Sequence, residues 1–263
     1  MSQLEKLKSI LIEIGKAAVT LSGGVDSSYL AYIAKETLGN NVRAITVSSP
    51  LLPQREKNEA LKIAEYLKIP HEFIEMDELS DANFSSNPID KCYICKKLRL
   101  HRISSWANER EIPWILDGSN IDDISDFRPG MKALNEFSNV RSPLLEARIS
   151  KEAIRALSKL SGLFTWNKPA AACLASRISP EQPITKQNLK QVEEAEEFLY
   201  TMLPRETQLR VRHHVQMARI EIDEEYMEKI IAGSDKIKSY FKKIGFRHIT
   251  LDLSGYVKGS LNN

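Results

Sequence analysis

The chain has 263 residues, of which 42% are hydrophobic and 27% charged, with a formal net charge of +2. That length accommodates one large or two modest domains with a sizeable core, and the near balance of charge excludes the global basic field of a protein devoted to nucleic acid. No apolar stretch approaches the roughly 18 residues a membrane span needs, and Met1-Ser2-Gln3-Leu4-Glu5-Lys6 lacks the basic-then-apolar layout of a signal peptide, so a cytoplasmic protein without a membrane partner is expected.

Leu4, Leu7, Ile10, Leu11 and Ile14 recur at helical spacing, and residues 17–21 then read as a buried strand. Directly after it stands Ser22-Gly23-Gly24-Val25-Asp26-Ser27-Ser28, followed by a helical pattern over 29–36. A strand that runs through a Gly-Gly turn into a helix aims several backbone N–H groups and the helix N-terminus at one spot, which suits a phosphate. The glycines permit close backbone approach and the serines add hydroxyl donors. There is no Gly-x-x-x-x-Gly-Lys-Ser/Thr, hence no lysine of that motif for the β- and γ-phosphates. The bland alternative is an ordinary strand-to-helix turn rich in glycine and serine.

Further on, 42–47 is a second apolar run, 56–67 an amphipathic helix, His71–Glu75 a third strand, 96–108 a helix, and 114–117 a fourth strand ending in Asp117-Gly118-Ser119-Asn120. Strands alternating with helices predict an α/β fold, a parallel sheet covered on both faces, with ligands at the carboxyl ends of the strands. The loop 22–28, Ser48-Ser49-Pro50 and 117–120 all lie at such ends. Ser150-Lys151-Glu152 starts a helix that ends near Gly162. The pattern then changes. Residues 165–183 are irregular, 185–202 form a polar helix, 209–212 and 218–222 look like paired strands, 224–231 and 236–244 read as helices, and 248–253 as a last strand. The expected organisation is therefore a first domain over 1–163, a linker over 164–184 carrying Cys173 and Arg177, and a small α+β domain over 185–263.

The three cysteines, Cys92-x-x-Cys95 and the distant Cys173, are an odd set that a reducing compartment would not bridge. Three thiolates fall one short of a closed structural zinc site, whereas a [4Fe–4S] cluster on three cysteines leaves one iron open. Persulfide or redox chemistry, and plain burial as small hydrophobes, are the alternatives. Lys96, Lys97, Arg99, His101 and Arg102 follow the pair, and Arg210, Arg212, His213 and His214 cluster later. Such clusters are either solvated faces or a pocket for a phosphorylated small molecule.

The heptad 22–28 resembles the pyrophosphatase-type loop (PP-loop) of enzymes that split ATP into AMP and pyrophosphate. Together with Asn87-Pro88-Ile89-Asp90-Lys91-Cys92-Tyr93-Ile94-Cys95-Lys96-Lys97, Asp126-Phe127-Arg128-Pro129-Gly130, Trp166-Asn167-Lys168-Pro169 and Ala172-Cys173-Leu174-Ala175-Ser176-Arg177, the chain from about residue 10 to 262 resembles the LarE-type sulfur transferases. That resemblance implies an adenine nucleotide alpha hydrolase-like domain and ATP with Mg²⁺ as cofactors. ATP would sit on Ser22, Gly23, Gly24, Asp26, Ser27 and Ser28 with Ser48 and Gly118, and Asp26 would help hold the metal. It implies transfer of AMP to a carboxylate of pyridinium-3,5-biscarboxylic acid mononucleotide and replacement of the activated oxygen by sulfur, toward the nickel-pincer nucleotide cofactor. Arg177, Arg210 and Arg212 are the implied binders of the anionic substrate, and Asp123 either binds a second Mg²⁺, orients substrate or caps a helix.

Some members of that family sacrifice the sulfur of one cysteine, located where this chain has Ala172. Others, with three cysteines, hold a [4Fe–4S] cluster. Cys92, Cys95 and Cys173 fit the second pattern and are the expected cluster ligands. The expected partners are the mononucleotide, a sulfide or sulfur donor, and further copies of the chain in a homo-oligomer, with no nucleic acid. Competing readings are a PP-loop tRNA-thiolating enzyme, an ammonia-using amidotransferase and an ATP-binding, metal-sensing regulator.

Overall fold

A computed structural model describes residues 2–124, 130–169, 172–180 and 182–257. Asp126, Phe127, Arg128 and Pro129 of the motif quoted above lie outside the described residues. Contacts divide the chain into two compact units, one formed by 1–77 and 90–170, the other by 78–89 and 171–263.

The first unit is built on five strands, β1 (Ala17–Thr20), β2 (Val42–Ser48), β3 (His71–Glu75), β4 (Trp114–Leu116) and β5 (Val140–Arg141), in the order β3-β2-β1-β4-β5. All neighbours run parallel, with Val19 opposite Ala44 on one side and Leu116 on the other. Both faces are buried, so the inner strands read as apolar runs rather than as an alternation with polar residues. The period of two still sorts their side chains. Ala17, Val19, Val42 and Ala44 join a core with Leu7 and Leu11 of helix Gln3–Ile14, Leu30 and Ala34 of helix Val25–Leu38, and Ile63 of helix Gln54–Tyr66. Ala18, Ile45 and Val47 point the other way, onto Ile103, Trp106 and Ala107 of helix Lys91–Asn108. The chain leaves β1 toward β2 and β3, then returns to the other side of β1 for β4 and β5. The carboxyl ends of β1 and β4 are therefore the point where the strand order reverses, the place where open parallel sheets bind ligands.

Two sequence expectations shift. Helix Val25–Leu38 begins directly after Gly24 rather than at Tyr29. Helix Lys91–Asn108 begins five residues before Lys96, so Cys92 and Cys95 sit inside its first turns and not in a loop ahead of it. Asp90 is a favoured cap residue type and Lys91 a good helix former, but Asp90 makes no side-chain cap bond and Cys92, Tyr93 and Ile94 are weaker helix formers, so the local signal for the true start is faint. The two-residue β5 is too short to leave a periodic trace.

The second unit packs helix Lys186–Tyr200 and helix Ser234–Lys243 on a sheet of β6 (Leu209–His214), β7 (Met217–Ile222) and β8 (His248–Leu251). β6 and β7 are antiparallel and β8 runs parallel to β7. Thr185 opens the long helix with a reciprocal cap, its side chain accepting from Asn188 N while the Asn188 side chain accepts from Thr185 N. Among the described residues no helix is long and apolar enough to cross a membrane. Phe241, fully buried and 5.8 Å from the Phe246 ring, centres this core. Phe241→Ala should lower stability by about 3–5 kcal/mol, read as a shift of the urea unfolding midpoint of the whole chain.

Candidate active site

The loop after β1 is shaped by where a side chain cannot go. Gly23 has φ +72°, and a Cβ there would stand 2.9 Å from the backbone nitrogen of Ala60. Gly118, after β4, would place a Cβ 3.3 Å from Ser27 N. The loop is thus pressed between helix Gln54–Tyr66 and the end of β4, a geometry that excludes any side chain at Gly23 and leaves little room for one at Gly118. Its hydroxyls knit it internally. Ser22 N donates to Ser27 Oγ at 3.2 Å, the two hydroxyls meet at 3.0 Å, and Ser27 Oγ is 3.2 Å from the Gly24 carbonyl. Gly24 caps the following helix without any side-chain hydrogen bond, which leaves the first-turn amides to an external acceptor.

Above the loop opens a cavity of about 320 Å³ lined by Ser22, Gly24, Asp26 and Ser27, by Thr46 and Val47 of β2, and by Asp117, Gly118, Ser119 and Asp123. Its far wall is one stripe of helix Lys91–Asn108: Lys96, Arg99, Leu100 and Ile103, at the spacing of successive turns. Lys96 Nζ lies 2.5 Å from Asp117 Oδ2, and Arg99 Nη2 is 3.2 Å from Ser49 Oγ. Of the local basic run, these two face the cavity, while Lys97 pairs with Glu136 at 2.7 Å. The i, i+3, i+4, i+7 spacing of the four wall residues lies within the helix predicted over 96–108, but spacing alone does not say which face meets the cavity. Ser48 is buried just beyond the wall residues Thr46 and Val47, and Ser28 is wholly buried behind the loop. Asp123, in the turn Ile121–Ile124, accepts from Asn120 N at 3.0 Å and also reaches the cavity.

Two oxygens at the loop stand without partners. Asp26 Oδ1 and Ser28 Oγ are buried and have no hydrogen-bond partner among the described residues. A buried carboxylate oxygen in that condition is costly and is a fitting ligand for a hard cation such as Mg²⁺. The other Asp26 oxygen, Oδ2, is held by Lys151. Lys168, from the Trp166-Asn167-Lys168-Pro169 motif, donates to the Gly23 carbonyl at 3.1 Å and to Glu56 at 2.9 Å, and Arg155 fixes the Trp166 and Lys168 carbonyls at 2.7 and 2.8 Å. That motif therefore braces the loop from behind, a function not evident from its sequence.

No disulfide joins the cysteines. Cys92 is exposed and Cys95 half-buried, one helical turn apart and so on one face, with Gly130 seated against the Cys92 carbonyl. Two thiols so placed, with a third elsewhere, suit a thiolate-bound iron–sulfur group by donor chemistry. Within either unit, no group of three or more His, Cys, Asp or Glu among the described residues is gathered around one point.

Cys173 belongs to the second unit, just before the turn Leu174–Arg177. Arg177 is fully buried there. Its Nη1 donates to the carbonyls of Ala172 and Cys173, the latter at 2.7 Å, and its Nε meets Glu196 Oε1 at 3.0 Å. Glu196 Oε1 also accepts from Val211 N at 3.1 Å. Arg212 is held by Glu221 at 2.7 Å and donates to the Ser176 carbonyl at 3.0 Å. Arg210 donates to Leu209 O at 2.7 Å and lies over the Tyr256 ring. Burial pushes its guanidinium below the usual range and the Arg177 charge pushes the same way, so an anion beside it would be welcome. The ring of His213 sits between the side chains of Gln182 and Gln191, 3.1 Å from each, as a strand residue in a polar niche.

Burial alone would raise the Asp117 carboxyl, but the Lys96 ammonium and the hydroxyl and amide of Ser119 outweigh it and hold the carboxyl below its ordinary range. A carboxyl lowered on folding adds stability that is fully present above its unfolded value, near pH 4, and is lost as pH falls through the folded value. Stability below about pH 4 should therefore fall less steeply in Asp117→Asn than in the wild type, as measured by urea midpoints across an acid series. Equal slopes would mean the carboxylate adds nothing.

Comparison with known proteins matches the asparagine synthase family model to residues 8–86, the stretch holding β1, the loop and β2. The chain is 34% identical to the pyridinium-3,5-bisthiocarboxylic acid mononucleotide synthase of Lactiplantibacillus plantarum over 98% of its own length and 92% of that protein's. It is 37% identical to an uncharacterized protein of Synechocystis sp. over 99% of its length and 97% of the relative's, and 29% identical to one of Methanocaldococcus jannaschii over 97% and 98%. The PP-loop at the reversal point of a parallel sheet and the near full-length match to the synthase agree, and the chain belongs to the LarE-type family of PP-loop enzymes.

Proposed function

We propose that this chain is an ATP-dependent sulfur transferase that adenylylates a carboxylate of pyridinium-3,5-biscarboxylic acid mononucleotide and converts it to a thiocarboxylate. The match to a synthase of the bisthiocarboxylic acid mononucleotide supports the substrate, and the cavity supports the first step. The observation that carries the reading is Asp26: a cavity-lining carboxylate on a loop of phosphate-binding shape, one of whose oxygens is buried without a partner.

In this reading the loop amides and the Ser22 and Ser27 hydroxyls hold the departing pyrophosphate, and Asp26 with Mg²⁺ offsets its charge. Lys96 and Arg99 flank the α-phosphorus side of the cavity, where positive charge favours the crowded oxygens of the transition state. The attacking group is the substrate carboxylate, so no base is required of the protein. Of the three arginines expected to bind the anionic mononucleotide, Arg210 takes that role, whereas Arg177 and Arg212, buried against Glu196 and Glu221, act through the turn at Cys173 whose carbonyls they hold. Cys92, Cys95 and Cys173 are the ligands of a [4Fe–4S] group, which when bound would supply an open iron site for the sulfur to be transferred. The residue at the position of the sacrificial cysteine is Ala172, which supports the three-cysteine arrangement.

Purified protein given ATP, Mg²⁺ and the biscarboxylic mononucleotide should release pyrophosphate and AMP; ADP and orthophosphate as main products would refute adenylylation. Asp26→Asn should abolish pyrophosphate release with the fold intact. Cys92→Ala, Cys95→Ala and Cys173→Ala should each lose sulfur transfer while keeping pyrophosphate release. Anaerobic preparations should contain iron and acid-labile sulfide; iron-free protein that loses the mass of one H₂S from Cys173 in a single turnover would point to the sacrificial route instead.

A further inference from the structure

The loop 22–28 carries no lysine, yet a lysine stands on it. Lys151 is the first residue of helix Lys151–Leu160, and its Nζ is paired with Asp26 Oδ2, 125 residues away in sequence. Several features separate this pair from a surface ion pair. The first turn of a helix is where the helix dipole disfavours a cation, and the cap is already made by Ser150, whose Oγ accepts from Ala153 N at 3.2 Å. Lys151 therefore does not serve its own helix. Its backbone is fixed by Asp122, which accepts from Lys151 N at 2.7 Å, so the ammonium swings from an anchored root.

The partner is equally telling. Asp26 is the carboxylate expected to take Mg²⁺, and its second oxygen is the buried, partnerless one. The other basic side chains behind the loop are committed to different groups, Lys168 to Glu56 and the Gly23 carbonyl, Arg155 to the Trp166 and Lys168 carbonyls. Lys151 alone of these three is held by the group a divalent cation would occupy. A cation arriving at Asp26 repels the ammonium beside it, and the nearest replacement anion is whatever the loop amides cradle. A compact ammonium on a flexible stem suits phosphate oxygens as a point charge.

We propose that Lys151 supplies the cation that the loop's own sequence lacks: it neutralises Asp26 in the nucleotide-free protein and passes to the pyrophosphate oxygens of ATP when Mg²⁺ takes Asp26. The inference rests on the ATP reading above. It makes the ion pair a guard against metal-free nucleotide, since without Mg²⁺ the lysine stays on the carboxylate.

The test is calorimetric binding of inorganic pyrophosphate to the whole chain, with and without Mg²⁺. Lys151→Met should bind Mg²⁺–pyrophosphate about tenfold or more weakly, while Lys151→Arg stays close to the wild type. Asp26→Asn releases the lysine, so this variant should bind metal-free pyrophosphate more tightly than the wild type, and Asp26→Asn with Lys151→Met should lose that gain. Lys151→Met with wild-type affinity for Mg²⁺–pyrophosphate would overturn the role of Lys151 and leave the ATP reading standing. Wild-type protein that binds neither ATP nor Mg²⁺–pyrophosphate would overturn both. Should Lys151→Met not fold, as judged by circular dichroism, the Asp26→Asn arm decides: no gain in metal-free affinity rejects the exchange.

Discussion

Close backbone approach at two glycines sets the position of everything else in the first unit. At Gly23 the chain passes so near helix Gln54–Tyr66 that a methyl group would strike the Ala60 nitrogen, and at Gly118 the end of β4 leans on Ser27. Because no side chain intervenes, the loop has one place to lie, and that place turns its amides and Asp26 toward the strand ends. Lys168 then ties this confined loop, through the Gly23 carbonyl, to the Glu56 carboxylate, and Arg155 holds the backbone on either side of that lysine. Rigidity of this kind matters for a phosphate site, whose donors must be aimed before the ligand arrives.

Charge is arranged around that frame as carboxylate–lysine pairs: Asp26 with Lys151, Asp117 with Lys96, Glu56 with Lys168. Each joins a loop or helix residue near the strand ends to a lysine on a different element, and for Asp26 and Glu56 that lysine is more than a hundred residues away. Pairs of this type in a half-buried cavity keep the wall neutral when no ligand is present, and a polyanion with its cation can exchange partners with them at little net cost in charge. The second unit uses a different device. Arg177 with Glu196 and Arg212 with Glu221 are deeply buried, and removing one member of such a pair costs about 3–5 kcal/mol because the other is left charged in a dry site. Both arginines also hold carbonyls around the Leu174–Arg177 turn, so the backbone at Cys173 is fixed by the most expensive contacts in that unit.

Much of this was legible in the chain. The apolar run before Ser22-Gly23-Gly24, the alternation of strands and helices and the change of pattern after residue 165 all follow local periodicity, and the parallel sheet follows from them. What stayed hidden depends on distance. Lys151 and Lys168 read as ordinary helix and loop lysines because their partners lie more than a hundred residues away. The arginine cluster 210 and 212 was visible, but its burial and its glutamate partners were not, since a strand pattern does not say which face closes over. The start of helix Lys91–Asn108 is obscured for the opposite reason, a purely local one: no cap bond marks it, and the weaker helix formers Cys92, Tyr93 and Ile94 follow Lys91.

That early start has the largest consequence for mechanism. With Cys92 and Cys95 inside the helix, the same rigid rod carries the thiols at its N-terminal end and Lys96, Arg99, Leu100 and Ile103 on the nucleotide cavity. At ~1.5 Å rise per residue, Cys95 and Arg99 are about 6 Å apart along the axis. On the proposed reading, activation and sulfur delivery are separate reactions that must meet at one carboxyl carbon, and an acyl-adenylate exposed to water would hydrolyse. A loop bearing the thiols would have to be ordered at each turnover, at a cost in conformational entropy. A helix that already supplies one wall of the cavity holds Cys92 and Cys95 at a fixed spacing from Lys96 and Arg99, so that part of the arrangement needs no ordering at each turnover.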